Sequence, residues 1–206
     1  LADCLPREDL ERLAGPAAST LLEMIQRKLN CPLASSVGRL FDAAAALLGL
    51  VKNVSYEGEG PIRMEGLALA EGGAGEPLRS HRGELEGGFQ LSEASEGPGL
   101  LHLDLRPLLL ELARERLRGT PGDVGAWALR FHRTVALAAL EGARELRRRT
   151  GLARLALSGG VFQNVLLVEL LAPALAAEGF EVYTHRQLPP GDGCLAVGQI
   201  YFQPDF

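Results

Sequence analysis

Cysteine is scarce in this sequence, and its spacing excludes one kind of metal-bound fold. The three cysteines, Cys4, Cys31 and Cys194, are an odd number and include no Cys-x-x-Cys pair. This pattern excludes a zinc ribbon and disfavours a disulfide framework. We therefore interpret Cys31 as a small buried apolar residue. Cys194 lies two positions after Asp192, so it is either a packing residue or part of a nearby functional site.

Long apolar runs are also absent. No stretch approaches the roughly 18 residues that a membrane-spanning helix needs, and no signal peptide is visible. We expect a cytoplasmic protein with no membrane partner. The sequence begins at Leu1 rather than at methionine, which fits a fragment of a longer protein.

The sequence also lacks an excess of positive charge. The formal net charge is −5 over 206 residues, which argues against nucleic acid as the main partner. Hydrophobic residues make up 47% of the chain and charged residues 23%, as in ordinary globular proteins. A chain of this length buries a substantial core as one domain or one large lobe.

The sequence does contain an ordered series of elements in residues 152–199. An apolar run at 155–157 predicts a strand, and it ends in the glycine turn at 158–160. Leucines at helical spacing follow over 166–175, and 180–183 is a second predicted strand. A Pro-Pro-Gly-Asp turn then precedes a last helix of small residues. This alternation predicts an α/β fold with a mainly parallel or mixed sheet.

Two glycines, Gly159 and Gly160, form the turn after the first of these strands, and they have two interpretations. Without Cβ atoms they let a phosphate or another anion approach the backbone. A helix beginning just beyond them would add unpaired N–H groups and a positive dipole end. The same turn is also common where a strand and a helix simply pack closely.

Helical spacing dominates the first third of the chain. It predicts a helix over residues 6–29, which Asn-Cys-Pro at 30–32 would end. A second helix is predicted from Ser35 or Ser36 as N-cap to Gly49, with Leu40, Ala44, Leu47 and Leu48 buried. A third follows the Ser-Tyr-Glu-Gly sequence that begins at Ser55 and extends to residue 69.

The middle of the chain changes character. Residues 71–104 are rich in glycine and glutamate, which predicts loops with short strands near 88–91 and 100–105. A helix is predicted over 107–117, and a long one from Thr120-Pro121 to about residue 146, with Asp123 in its first turn. Four arginines end this long helix, where they suit either the helix dipole or a bound anion: Arg144, Arg147, Arg148 and Arg149. We divide the single lobe 1–206 into a helical part (1–70), a loop-rich part (71–104) and an α/β core (105–206).

Four sequence motifs carry a family resemblance. They are GRLFDAAAALLG, SYEG, SGGVFQN and YTHRQLPPGDGCLAVGQ. In this order they closely resemble the C-terminal, Kae-like region of the HypF carbamoyltransferases, which act in [NiFe]-hydrogenase maturation. The resemblance covers about residues 31–201. It implies one lobe of the two-lobed actin, Hsp70 and sugar-kinase (ASKHA) fold, which binds nucleotide between its lobes.

The resemblance also implies a reaction and its participants. Members of the family transfer a carbamoyl group from carbamoyl-adenylate to the C-terminal cysteine of HypE. The expected ligands are ATP or carbamoyl-adenylate and a divalent metal ion, and the expected partners are a HypE-type protein and upstream domains of the same protein. Because the family's histidine-rich metal site and adenylate-forming domain lie upstream, we expect this chain alone to be incomplete as an enzyme.

Site residues are carried over motif by motif, and no catalytic residue is assigned. The resemblance implies nucleotide contacts from six residues and a metal ligand from a seventh: Gly159, Gly160, Asn164, Asp42, Glu57 and Gly58 for the nucleotide, and Asp192 for the metal. Asp192 has the alternative of capping the final helix, and Asp42 that of ordinary surface charge. His132 also matches the family pattern, but we interpret it as a hydrogen-bonded helix-face histidine.

Departures from the family pattern leave two rival functions open. Gly191 replaces a residue that is usually polar, and Cys194 replaces a common glycine. One rival is a tRNA threonylcarbamoyl-adenosine synthase-like enzyme, which shares the GGV…N turn and the late aspartate. The YEG sequence and the acidic balance of the chain favour the hydrogenase-maturation branch. The other rival is a non-catalytic nucleotide-binding or docking module of the same fold.

Overall fold

A computed structural model describes residues 4–73, 75, 78, 88–94, 97, 99–119 and 122–202. In these residues the chain forms eight α-helices and four β-strands in mixed order. Their bounds are α1 Arg7–Ala14, α2 Ala18–Gln26, α3 Val37–Leu47, α4 Glu59–Ala70, β1 Gln90–Glu93, β2 Leu101–Asp104, α5 Arg106–Arg118, α6 Val124–Thr150, β3 Arg154–Leu157, α7 Val165–Ala177, β4 Glu181–Thr184 and α8 Leu195–Phe202. Short 3-10 turns occur at Gly15–Ala17, Gly160–Gln163 and Asp192–Cys194.

Two separate pairs of strands provide the β structure. β3 and β4 are parallel, with Leu155 opposite Val182 and Leu157 opposite Thr184. α7 connects them, as a parallel pair requires. β1 and β2 form an antiparallel pair. The β3–β4 pair agrees with the prediction of a mainly parallel or mixed sheet, and within the described residues that sheet consists of two strands.

The long helix α6 is the centre of the core. It packs against α4 on one side and α7 on another, while α3 packs against α4 and α5. The bulkiest side chains at these contacts are almost completely buried: Phe41, Met64, Leu108, Leu112, Phe131, Leu140, Leu166, Leu167, Leu171 and Leu175. Each stabilises the fold by about 1.5–3 kcal/mol relative to an exposed position. This packing brings the N-terminal ends of α3 and α4 close to the turn that precedes α7.

Most of the predicted elements are present. α3 ends where Gly49 adopts a φ of +78°, and α4, α5, β1 and β2 lie where the patterns indicate. In α3, however, the fully buried side chains include Phe41 and Ala45, whereas Leu40 and Leu47 are only partly buried. Much of the predicted loop-rich part between β1 and α4 lies outside the described residues.

Three predictions about the helices and cysteines are wrong. The single helix predicted over 6–29 is broken at Gly15, which has a φ of +70° and is followed by Pro16, and it ends at Gln26. Thr120 and Pro121 lie outside the described residues. α6 begins at Val124, so Asp123 is its N-cap and accepts a hydrogen bond from the Ala126 N–H at 2.9 Å. Cys31 is partly exposed rather than buried.

The four arginines at the end of α6 are paired with carboxylates. Arg144 contacts Glu141 and Glu178, and Arg149 contacts Glu145 and Glu93. Hydrogen bonds from Arg148 and Arg149 lower the pKa of Glu145 to about 2. The described part of the chain therefore supports the interpretation of a solvated, charge-complemented helix end rather than an anion site. None of its helices has the length and apolarity to cross a membrane.

Candidate functional site

A cleft is lined by residues from two distant segments of the chain, 36–65 and 159–164. It has a volume of about 660 Å³, within the usual range for ligand sites, and lies between the N-terminal ends of α3 and α4 and the glycine turn after β3. All six residues predicted to contact nucleotide line it: Asp42, Glu57, Gly58, Gly159, Gly160 and Asn164. The fold therefore brings these residues together, and their binding roles stay predictions.

The glycine turn forms one wall of the cleft, and residues 185 and 190 hold it in place by hydrogen bonds. The Gly159 N–H donates to the Pro190 carbonyl at 2.7 Å, and the Ser158 hydroxyl lies 2.9 Å from His185 Nε2. Gly159 has a φ of +104°, which side chains with a Cβ rarely adopt. At Gly160 an added Cβ would meet no described atom within 4 Å. The space in front of Gly160 is therefore open to a ligand.

The N-terminus of α7 is not available to an anion. The helix begins at Val165 instead of just beyond the glycines, so that detail of the prediction is wrong. The N–H groups of Val165 and Leu166 donate to Glu65 Oε1 at 2.6 and 3.1 Å. The Leu167 N–H donates to Asn164 Oδ1 at 2.8 Å. Because the Gly159 N–H also donates within the protein, to the Pro190 carbonyl, anion binding in the cleft would depend on the remaining backbone of the glycine turn.

Asn164 connects the cleft to a buried histidine. Its Nδ2 lies 2.9 Å from His132 Nε2, and His132 Nδ1 lies 2.7 Å from the Ala128 carbonyl. His132 is completely buried, and burial lowers its pKa below the ordinary value of 6.5. The prediction that His132 is a hydrogen-bonded residue on a helix face is thus confirmed. The hydrogen bonds that Asn164 makes in the described structure are to the protein itself.

The opposite wall comes from α3 and the start of α4. Asp42 is partly buried and pairs with Arg39 at 2.9 Å across one helical turn. Glu57 is exposed at the cleft, and Gly58 turns the chain into α4 with a φ of +83°. These positions present one carboxylate from α3 and another from the turn before α4.

Three residues that line or support the cleft were not predicted from the sequence: Arg39, Glu59 and Glu65. The carboxylate of Glu59 is buried and accepts from the Ser55 N–H and hydroxyl at 2.7 and 2.9 Å, which fixes the turn carrying Glu57. The backbone hydrogen bond from Ser55 is the main cause of its lowered pKa. Arg39, one turn before Asp42, was recognisable from its spacing. Glu65 gave no sequence signal, because its partners on α7 are distant in sequence.

Asp192 lies beside the glycine turn but does not line the cleft. It is exposed within the 3-10 turn that precedes α8. Because α8 begins at Leu195, Asp192 lies too early to be its N-cap residue. Gly191 is buried, and a Cβ there would lie 3.3 Å from the Cα of Gly160. Among the described residues, no group of three or more His, Cys, Asp and Glu side chains is placed to hold a metal ion.

Taken together, these elements form an α/β unit with a cleft that all six predicted nucleotide-contact residues line. Residues 5–199 match the family model described as the second subdomain of the Kae1-like domain of carbamoyltransferase. The chain therefore belongs to the HypF carbamoyltransferase family, as its motifs predicted. The matched family is not the tRNA-modifying one that the sequence left as an alternative.

The proteins that resemble this chain are several times longer than it is. It is 36% identical to Carbamoyltransferase HypF2 of Cupriavidus necator, over 90% of the chain and 24% of that protein. It is 34% identical to Carbamoyltransferase HypF of Rhizobium leguminosarum bv. viciae, over 87% of the chain and 21% of that protein. The crystal structure of full-length HypF in its phosphate- and nucleotide-bound form matches 94% of the chain and 23% of its own, with a TM-score of 0.76 and 28% identity. The chain thus spans about a quarter of the length of these relatives.

Proposed function

We propose that this chain is the C-terminal part of a HypF-type carbamoyltransferase and that its cleft binds the nucleotide, as ATP or carbamoyl-adenylate. The observation that carries the proposal is the convergence of six motif-derived residues on one cleft. A similar full-length protein, HypF, has been crystallised in a phosphate- and nucleotide-bound form. That likeness supports a nucleotide in the present cleft.

The chemistry of the cleft suits a nucleotide in a particular orientation. Phosphate oxygens would approach Gly159 and Gly160, where no side chain blocks the backbone. Ribose hydroxyls would donate hydrogen bonds to Asp42, and Glu57 with Gly58 would face the ribose or base. The phosphates would therefore lie at the glycine turn and the sugar at α3.

The charge of the cleft favours a nucleotide that carries a cation. Its charged lining side chains are Arg39, Asp42, Glu57 and Glu65, so one positive and three negative charges leave a formal charge of −2. A free polyphosphate would be repelled by this surface. A divalent cation bound to the phosphates would neutralise part of that repulsion. We therefore propose that the nucleotide binds as its complex with a divalent metal ion.

Asp192 is the proposed ligand of that metal ion. Its carboxylate is a hard oxygen donor of the kind that divalent cations near phosphate prefer. It follows Gly191, which packs against Gly160 and so keeps the aspartate beside the proposed phosphate site. One carboxylate does not fill a coordination shell, so the other ligands would come from phosphate oxygens, water and the rest of the longer protein.

The proposed reaction requires more than this chain. The thiolate of the C-terminal cysteine of a HypE-type partner would attack the carbamoyl carbon, forming a thiocarbamate and releasing AMP. We propose that the chain is one lobe of an ASKHA fold and that upstream parts of the same protein close the cleft. Apolar side chains on α8 offer a surface for such a contact, since Ile200, Tyr201 and Phe202 are 76–83% exposed. The isolated chain should give no carbamoyl transfer.

Calorimetric titration with ATP and Mg²⁺ tests the proposed cleft. Gly160→Val places two methyl groups into its open space and should abolish binding, while Asp192→Ala should weaken binding in Mg²⁺. Gly66→Val is the matched control, because Gly66 is exposed on α4, meets no described atom within 4 Å and does not line the cleft. Binding that is unchanged in Gly160→Val would contradict the site. If the wild-type chain binds nothing, the same variants are titrated in the full-length protein.

A further inference from the structure

A buried polar link lies directly beneath the cleft. It runs from the Ala128 carbonyl on α6 through the ring of His132 to the side-chain amide of Asn164, and on to the Leu167 N–H on α7. His132 is completely buried and Asn164 is 9% exposed, so water does not readily replace these hydrogen bonds. The link therefore joins two helices at the point where Asn164 meets the cleft.

The backbone fixes the direction of every hydrogen bond in this link. The Leu167 N–H can only donate, so the Asn164 atom facing it is the amide oxygen, Oδ1. The amide nitrogen then faces His132 Nε2 and donates to it. Nε2 must consequently carry a lone pair. The Ala128 carbonyl can only accept, so Nδ1 carries the proton. One neutral tautomer of His132 satisfies all three contacts.

We propose that His132 is a positioning residue for the nucleotide cleft: as the neutral Nδ1–H tautomer, it holds the Asn164 amide so that Asn164 caps α7 and presents a fixed edge to the ligand. The proposal rests on the nucleotide-binding function proposed above. Asn164 lines the cleft, whereas His132 does not. His132 therefore acts on the cleft only through Asn164.

Protonation of His132 is incompatible with this arrangement. A proton on Nε2 would face the N–H₂ group of Asn164, and rotating that amide would turn the same N–H₂ group toward the Leu167 N–H. The groups packed around the ring are the Phe41 ring of α3 at 4.9 Å, the Ala128 carbonyl of α6, Asn164 before α7, and Glu65 of α4, the charged group that acts on it. Burial lowers the pKa of His132 by more than the hydrogen bond to the Ala128 carbonyl and the charge of Glu65 raise it, so the net pKa is lowered.

The sign of the pH dependence follows. Because the folded protein disfavours the charged ring, the contribution of His132 is complete above its ordinary pKa of 6.5 and is lost as the pH falls through its lowered value. Nucleotide affinity and the free energy of unfolding should therefore both decrease as the pH falls below 6.5.

Nitrogen NMR tests the proton assignment without reference to nucleotide. The sequence has four histidines, so ¹⁵N-histidine labelling gives few signals, and His132→Gln identifies the one from His132. We expect long-range ¹H–¹⁵N correlations of the neutral Nδ1–H tautomer at pH 7. In Asn164→Asp, the carboxylate still caps α7 but accepts a hydrogen bond from Nε2–H, so the pKa of His132 should rise. An Nε2–H tautomer in the wild type, or an unchanged titration in Asn164→Asp, would overturn the proposal.

Affinity for ATP with Mg²⁺ then tests the positioning role. His132→Leu leaves the Asn164 amide without its acceptor, and we expect roughly tenfold weaker binding. His132→Gln keeps a side-chain oxygen that can accept from Asn164, so it should recover most of that loss. Equal affinities for wild type and a folded His132→Leu would refute the positioning role. Absence of ATP binding by every variant of the full-length protein, including the wild type, would refute the proposed nucleotide function, while the NMR result still decides the proton assignment.

Discussion

Replacing Glu65 by alanine should remove the cap that α4 provides for α7. The Glu65 carboxylate accepts hydrogen bonds from two successive N–H groups at the first turn of α7, at 2.6 and 3.1 Å. A negative charge at this end also complements the helix dipole. No other contact between α4 and α7 in the described structure satisfies backbone N–H groups in this way.

The loss of stability in Glu65→Ala depends on how well water replaces the carboxylate as a hydrogen-bond acceptor. Val165 is 56% exposed, so its N–H can bind water after the substitution. Leu166 is completely buried, and its N–H would lose its acceptor at a cost of about 1–3 kcal/mol. The lost dipole interaction adds about 0.3–1 kcal/mol. We expect Glu65→Ala to lower the free energy of unfolding by about 2 kcal/mol, or Tm by about 4–8 °C for a chain of this size.

Urea and thermal unfolding followed by circular dichroism measure the effect. Glu65→Gln keeps a neutral acceptor, so it should lose about half as much stability as Glu65→Ala. Glu169→Ala is the matched control, since it removes a glutamate from an exposed position on α7. If Glu65→Ala is no less stable than Glu169→Ala, then Glu65 does not cap α7 and the reasoning fails.

Two further predictions concern the glycine turn and the end of α6. Gly191→Asn would place a Cβ 3.3 Å from the backbone Cα of Gly160, which is tighter than ordinary packing. We therefore expect the free energy of unfolding in urea to fall by about 1–2 kcal/mol, with no loss in the control Gly66→Asn. A lower unfolding midpoint in both variants, or in neither, would count against this close approach. Hydrogen bonds from Arg144 lower the pKa of Glu178 from 4.5, so this ion pair stabilises the fold fully above pH 4.5 and progressively less as the pH falls through the lowered value. Glu178→Gln should flatten that part of the curve of stability against pH, and an unchanged curve would show that the pair contributes nothing measurable.

The elements of the fold were largely predictable, because their signals are local. The leucine spacing of α7 and the apolar run of β3 specify a helix and a strand by periodicity alone. The break after α1 was missed, although Gly15 and Pro16 are both visible in the sequence, because the apolar spacing continues on either side of them. Cys31 was expected in the core since cysteines are often buried, but it follows the end of α2 in an irregular segment and stays partly exposed.

The membership of the cleft was predictable from motifs, whereas its internal hydrogen bonds were not. Short sequences around Asp42, Glu57 and Gly159 resemble those of one family, and the structure places all three on one cleft. Nothing in those sequences shows that Glu65 occupies the N-terminus of α7. The expectation of a free helix end there was therefore wrong, since the competing acceptor comes from a distant helix.

The family, the α/β character and the candidate site residues could be predicted from the sequence alone. These properties depend on residue type and short-range spacing, which are read without coordinates. The three-dimensional packing was needed to show that Glu65 caps the start of α7, that Gly191 packs against Gly160, and that the His132 ring lies between Asn164 and the Ala128 carbonyl. Each of these depends on two groups from distant parts of the chain meeting within hydrogen-bonding or van der Waals distance, and the packing of α4, α6 and α7 sets that distance.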